Sequence, residues 1–105
     1  MSDSINSNFR TLVNGVFSDV TVAAMNASKA GNGVNIHCQF SGVDMWLYVA
    51  SNAKGPMGEV NARTIKACKK AMKKSKLIEL AFWTSGDYDN VALAGDYAAH
   101  RAASK

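Results

Sequence analysis

The hydrophobic pattern changes to a period of two at Val34, and this change constrains the fold more than any other feature of the sequence. Apolar and polar side chains alternate as far as Phe40, which predicts a half-buried strand over residues 33–40. A turn-prone segment follows, and residues 45–50 are again rich in strand formers. We therefore predict a β-hairpin in which Phe40 lies opposite Met45.

Other segments have helical or strand periodicity. Apolar residues three and four positions apart predict a first helix over about 7–30, and a second amphipathic pattern predicts a helix over about 59–75. Alternation resumes over residues 78–84, which predicts a third strand. The Ala-rich segment from Val91 to about Ala103 predicts a third helix. The first helix depends on the spacing of Phe9, Leu12, Val13, Val16, Phe17, Val20, Ala23, Ala24 and Ala27.

These elements predict an α+β fold with the order α-β-β-α-β-α. We expect one small domain, residues 7–105, after a flexible N-terminus of residues 1–6. Its sheet is three-stranded and mainly antiparallel, with helices packed on it. The third strand is placed beside the first, antiparallel to it and parallel to the second, and the crossover between the second and third strands is expected to be right-handed.

The sequence has no apolar run near the roughly 18 residues that cross a bilayer, and no secretory signal at its polar N-terminus. We therefore expect a cytoplasmic protein with no membrane partner. Its two cysteines, Cys38 and Cys68, occupy apolar positions on a predicted strand and a predicted helix. We expect both to be buried, reduced and free of metal.

The net charge of +4 is concentrated in one segment. Residues 1–62 carry three basic and four acidic side chains, residues 63–76 carry seven basic and none acidic, and residues 77–105 carry two basic and four acidic. At about 100° per residue the seven basic side chains share one side of the predicted helix, opposite its apolar stripe. This basic ridge consists of Arg63, Lys66, Lys69, Lys70, Lys73, Lys74 and Lys76.

A basic ridge of this kind is suited to phosphate groups, because each lysine that neutralises a phosphate releases counterions. The alternative interpretation is a solvated helix face that keeps the protein in solution. Solvated faces usually mix charges of both signs, whereas no Asp or Glu lies between Val60 and Ile78. The pattern therefore favours an anionic partner.

A second candidate surface is the polar side of the predicted sheet, which we call the aromatic face. Exposed aromatic rings on a sheet stack bases in several folds that bind RNA or single strands. Alternatively, the C-terminal helix covers this face, and its small residues favour that interpretation. The residues assigned to the aromatic face are His37, Gln39, Trp46, Tyr48 and Trp83.

Catalysis has little support in the sequence. His37 and His100 are far apart in the chain, no catalytic motif occurs, and we expect neither enzymatic activity nor a cofactor. The leading hypothesis is a small protein that binds DNA or RNA through the basic ridge and the aromatic face. The alternative is an inhibitor or adaptor, such as a phage-encoded protein acting in the host cell on a nucleic-acid-handling protein, either through the same lysines or through Asp87, Asp89 and Asp96 as phosphate mimics. Such a protein could also be oligomeric.

Overall fold

A five-stranded antiparallel sheet is the centre of the fold. The structure is a computed structural model that describes residues 15–29, 31–85 and 88–103. In these residues, five strands and two helices follow one another in the order β-β-β-α-β-β-α, and the strands lie in the sheet order β3-β2-β1-β4-β5. The elements are β1 (Gly15–Ala27), β2 (Gly33–Phe40), β3 (Val43–Ala50), α1 (Pro56–Lys74), β4 (Ile78–Ser85), β5 (Tyr88–Leu93) and α2 (Ala94–Ala103).

The predicted three-stranded sheet and the order α-β-β-α-β-α are therefore wrong. The three predicted strand segments do form β2, β3 and β4, and the predicted basic helix forms α1. However, β4 pairs with β1 rather than with β2. Helix α1 begins earlier than predicted because Pro56 starts it, at a position where the missing N–H of proline is harmless.

The largest error concerns β1, which the apolar spacing predicts as a helix over about 7–30. Residues 15–27 form a strand, while residues 7–14 and residue 30 lie outside the described residues. The register of β1 shifts against β4 between Phe17 and Val20, and against β2 between Val22 and Ala24. Each shift adds a residue to one strand, as a β-bulge does. The bulges stretch the spacing of the inward side chains from two to three and so imitate a helical period.

Strand β1 is shared between two halves of the sheet. Its first part pairs with β4 and its second part pairs with β2. The sheet curls so far that Cα atoms of its two edge strands, β3 and β5, come within 8 Å of each other. The result is a partly open barrel, and α1 packs against β1, β3 and β5. The buried core cluster consists of Val20, Val22, Ile36, Cys38, Phe40, Met45, Leu47, Val49, Cys68, Leu80, Phe82 and Val91.

The hairpin of β2 and β3 is tighter than predicted. Its loop has two residues, Ser41 and Gly42, both with positive φ (48° and 76°), as in the type I′ turn that suits the twist of a hairpin. Phe40 therefore lies opposite Val43, not Met45. The register differs from the predicted one by two residues, and because side chains alternate with a period of two, each still points to the predicted side.

The C-terminal segment is a strand before it is a helix. Residues 91–93, predicted as helical, belong to β5, in which Val91 lies opposite Phe82 of β4 and contributes to the core. Helix α2 then packs on β4 and β5. It covers the outer side of these two strands, where Ala81 and Ala92 are both completely buried.

The expected burial of the two cysteines is confirmed. Cys38 in β2 and Cys68 in α1 have no exposed surface and are free thiols. Burial raises the pKa of each thiol to about 12, so neither is a thiolate near neutral pH. Neither helix in the described ranges is long and apolar enough to cross a membrane.

Candidate nucleic-acid interface

The outer side of the β2–β3 hairpin is an open surface, which we call the hairpin face. Trp46 and Tyr48 stand two residues apart on β3, and 49% and 47% of their surfaces remain exposed. His37 lies opposite Trp46 on the neighbouring strand. The C-terminal helix does not cover this face, contrary to the interpretation favoured by its small residues. The hairpin face consists of Asn35, His37, Gln39, Asp44, Trp46 and Tyr48.

Tyr48 is held flat against the sheet. A Cβ atom added at Gly33 would lie 2.5 Å from the Tyr48 ring, so the ring occupies the space that a side chain at this position would fill. The Tyr48 hydroxyl donates to Asn32, whose Oδ1 lies 2.7 Å away and whose carbonyl oxygen lies 3.0 Å away. The ring is therefore fixed before any ligand arrives.

Trp46 is also held in place, by its neighbour on β2. The rings of Trp46 and His37 are stacked, with centroids 4.7 Å apart and planes inclined by 11°. His37 donates through Nε2 to Oδ1 of Asp44, and Nε2 of Gln39 lies 3.5 Å from the other carboxylate oxygen. The hydrogen bond from His37 lowers the pKa of Asp44 below its ordinary value of 3.8. Asp44, His37 and Trp46 thus form a connected unit.

Trp83 does not belong to the hairpin face. It lies on β4, and its ring packs against α2, with centroids 5.1 Å from the Tyr97 ring and 5.3 Å from the His100 ring. Trp83 does lie on the outer side of the sheet, as expected, but it lies under α2 and apart from His37, Trp46 and Tyr48. The outer sides of β2–β3 and β4–β5 belong to the same curled sheet, but α2 covers only the second of them.

Six of the seven residues of the basic ridge lie on the solvent side of α1, as predicted, whereas Lys76 follows the end of the helix at Lys74. The opposite side of the helix is buried and includes Thr64, Cys68 and Ala71. In the part of the chain that the structure describes, the ridge lysines have no carboxylate within 4 Å; the two ion pairs found there join His37 to Asp44 and one ridge member, Arg63, to Asp96. All six lysines are exposed: Lys66, Lys69, Lys70, Lys73, Lys74 and Lys76.

Arg63 is engaged differently from the lysines. Its Nη2 lies 2.8 Å from one oxygen of Asp96, and its Nε lies 3.1 Å from the other, so the guanidinium holds α2 against α1. This hydrogen bonding raises the pKa of Arg63. The carboxylate of Asp96 is correspondingly occupied, while Asp87 and the side chain of Asp89 lie outside the described residues.

Sequence reasoning missed the residues that support the two exposed rings. The alternating pattern predicts only the start of a strand at Gly33, the segment after Phe40 predicts a turn that includes Asp44, and no role is predicted for Asn32. One signal was present for Asp44, since it falls on the same side of its strand as Trp46 and Tyr48. No local signal indicates that Tyr48 reaches back across the hairpin to Asn32, because that contact depends on the register.

Comparisons with protein-family models, curated proteins and solved structures find no match for this chain. Its function must therefore be argued from the site itself. Across residues 15–29, 31–85 and 88–103, no three His, Cys, Asp or Glu side chains come together as a metal site would require. What the described residues bring together is a pair of fixed, exposed rings and a lysine-rich helix.

Proposed function

We propose that this protein is a nucleic-acid-binding protein that works without catalysis. In this proposal, bases stack on Trp46 and Tyr48, and lysines of the basic ridge contact phosphates. Binding is directed by charge and by stacking rather than by the reading of base edges.

The observation that carries the proposal is the state of the two rings on the hairpin face. About half of the surface of each of these two residues is exposed, yet the Trp46 ring is held by the stacked His37 ring and the Tyr48 ring is held by its hydrogen bond to Asn32. Large exposed aromatic side chains in fixed positions are what a stacking site needs, because the cost of ordering them is met during folding. Stacking of a base on an aromatic ring contributes about 1–3 kcal/mol and tolerates any base.

The lysines favour an anionic ligand over a neutral one. Six exposed lysines with no carboxylate partner in the described ranges, five on α1 and one just after it, create a positive potential along this helix. An uncharged oligosaccharide could also stack on the rings, but it would gain nothing from this potential. A nucleic-acid strand uses both surfaces, because its bases can stack on the rings and its phosphates can contact the lysines.

The architecture of the sheet also favours the hairpin face as the binding surface. Five-stranded, partly open barrels of the oligonucleotide- and oligosaccharide-binding type bind their ligands on the face of the second and third strands and on neighbouring loops. The exposed rings of this chain both lie on its third strand, which pairs with the second in a curled five-stranded sheet. This is an analogy of architecture, and the rings and lysines carry the argument.

The proposal is tested by fluorescence anisotropy with labelled oligothymidylate and oligouridylate over a salt series. We expect binding at low salt that weakens as salt rises, with the two oligonucleotides showing which sugar is preferred. Trp46→Ala and Tyr48→Ala should each weaken binding by about 5- to 150-fold, which corresponds to the loss of about 1–3 kcal/mol of stacking.

The matched control is Leu77→Ala, which removes an exposed apolar side chain (58% exposed) that is not on the hairpin face. This variant should bind like the unmodified protein. If the unmodified protein binds neither single nor double strands at low salt, the proposal is wrong, and the basic ridge is then either a protein-facing or a merely solubilising surface. Equal binding by the Leu77 and Trp46 variants would also contradict it.

A further inference from the structure

The end of β3 connects the hairpin face to one side of the basic ridge. Asn61 of α1 donates through Nδ2 to the carbonyl oxygen of Ala50, the last residue of β3, at 3.0 Å. This buried side chain ties the helix to the strand that carries Trp46 and Tyr48. The next residue, Ser51, lines a shallow groove against α1 together with Ala62, Ile65, Lys66 and Lys69.

The other side of the ridge faces a different part of the fold. Lys70, Lys74 and Lys76 line a second groove with Leu77 and Ile78, at the start of β4. The ridge is thus divided: Lys66 and Lys69 adjoin the end of β3, and the second set adjoins the start of β4. All of these lysines are exposed, but only the first set adjoins β3, the strand that carries the exposed rings.

Tyr48 lies close to the end of β3, where Ser51 lines the groove that contains Lys66 and Lys69. Tyr48 precedes Ser51 by three residues, or roughly 10 Å along an extended strand. A strand of nucleic acid with a base on Tyr48 can therefore bring its next phosphates to Lys66 and Lys69. A duplex cannot do the same, because its bases are stacked on one another and are not free to lie on the rings.

We propose that the ligand is a single strand that crosses the end of β3, with bases on Trp46 and Tyr48 and the following phosphates on Lys66 and Lys69. This inference rests on the proposed function and adds to it the form of the ligand and the path of its backbone. Lys70, Lys74 and Lys76 lie off this path.

The test compares two double variants of equal charge, Lys66→Gln/Lys69→Gln and Lys70→Gln/Lys74→Gln. Both change only exposed side chains of α1 and relieve repulsion between like charges, so both should fold. Each is titrated by fluorescence anisotropy with an oligothymidylate of about 12 nucleotides and one of about 3 nucleotides, since single-strand sites in comparable barrels span about 4–16 nucleotides. The longer oligonucleotide is also tested as a duplex with its complement.

For the longer strand, Lys66→Gln/Lys69→Gln should reduce the slope of log affinity against log salt by about 1.4, or about 0.7 for each lost phosphate contact. Lys70→Gln/Lys74→Gln should change this slope by less than about 0.7. The shorter strand should show little difference between the variants, and the duplex should bind more weakly than the single strand.

Equal slopes for the two variants, or a duplex bound as tightly as the single strand, would overturn the path while leaving Trp46-dependent binding intact. Failure of the unmodified protein to bind either oligonucleotide would instead overturn the proposed function on which the path rests.

Discussion

The two tryptophans of this protein occupy the outer sides of two neighbouring parts of one sheet, and their surroundings are opposite. Trp83 on β4 is packed under α2 beside Tyr97 and His100. Trp46 on β3 stacks on a single histidine and leaves about half of its surface in solvent. The same residue type therefore supports the core on one side of the barrel and forms an exposed platform on the other.

This difference comes from α2 and from the small residues beneath it. Ala81 of β4 and Ala92 of β5 point outward and are completely buried, so that the helix can approach the sheet closely beside Trp83. The outward positions of the hairpin face are polar or aromatic and are supported by hydrogen bonds within the face itself. A surface that fixes large aromatic rings and leaves them exposed is suited to binding a ligand, and not to packing against another element of the fold.

The largest expected effect that distinguishes the two sides concerns stability. Trp83→Ala removes a ring packed between the sheet and α2 and should lower the free energy of unfolding by about 2–4 kcal/mol. Trp46→Ala loses mainly one stacked contact and should lower it by less than about 1.5 kcal/mol. Urea unfolding followed by far-ultraviolet circular dichroism measures both. Equal losses would mean that the hairpin face is part of the core.

A second measurement uses Trp46→Phe and Trp83→Phe, which each leave one tryptophan in the protein. Acrylamide should quench the remaining fluorescence several-fold more strongly in Trp83→Phe, where only the exposed Trp46 emits. An oligonucleotide should alter emission in that variant and leave the signal of Trp83 unchanged. The reverse pattern would place the binding surface on the side of α2.

The comparison also explains which parts of the fold can be read from the sequence. The period-two segments of β2 and β4 and the two-sided helix α1 keep one period along their whole length, and each is predicted correctly. Strand β1 is not, because its bulges after Phe17 and Val22 lengthen the spacing of inward residues there from two to three, which interrupts the period of a strand and adds the i, i+3 spacings of a helix. In β5, the preference of alanine for helices conceals a strand that pairs with β4.

The candidate site was partly predictable for a related reason. The predicted pairing of β2 with β3 differs from the observed one by two residues. Because side chains alternate with a period of two, this error leaves His37, Trp46 and Tyr48 on the same face of the hairpin. For Trp83, alternation indicates a side of its own strand but not which strand lies beside it. The pairing of β1 with β4 and the position of α2 are long-range features, and no local pattern along the chain determines them.

A smaller effect is expected from a methyl group added beneath Tyr48. Gly33→Ala would place a carbon 2.5 Å from the Tyr48 ring, and the ring must move because it is the more mobile partner. Since no helix covers this ring, stability should change by less than about 1 kcal/mol. Oligonucleotide affinity should fall several-fold, less than for Tyr48→Ala, as measured by anisotropy.

Tyr48→Phe is the control for this prediction, because it keeps the ring over Gly33 and removes only the hydrogen bond to Asn32. Its affinity should lie between those of the unmodified protein and Gly33→Ala. A Gly33→Ala variant with unchanged affinity would show that the position of the Tyr48 ring does not matter for binding.

The smallest expected effect is on stability and concerns the ion pairs of the two sides, Arg63–Asp96 beside α2 and His37–Asp44 on the hairpin face. Asp96 lies between α1 and α2 with only 18% of its side chain exposed, whereas 59% of the Asp44 side chain is exposed on the hairpin face. The hydrogen bond from His37 lowers the pKa of Asp44 in the folded state. The Asp44 carboxyl group therefore binds its proton less tightly in the folded protein than in the unfolded chain. The resulting stabilisation is present above the ordinary value of 3.8 and is lost as the pH falls through the lowered pKa.

We accordingly expect Asp44→Asn to be slightly less stable than the unmodified protein at neutral pH, with a difference that disappears in acid below the lowered pKa. Because this pair is exposed, the difference should also shrink at about 1 M salt, where the screening length is about 3 Å. Carbon-detected NMR of the Asp44 carboxyl group should show a titration midpoint below 3.8, which moves back towards 3.8 in His37→Ala. A midpoint at or above 3.8 in the unmodified protein would mean that His37 does not hold the carboxylate, and the Asp44–His37–Trp46 unit would then not be the support that fixes the Trp46 ring.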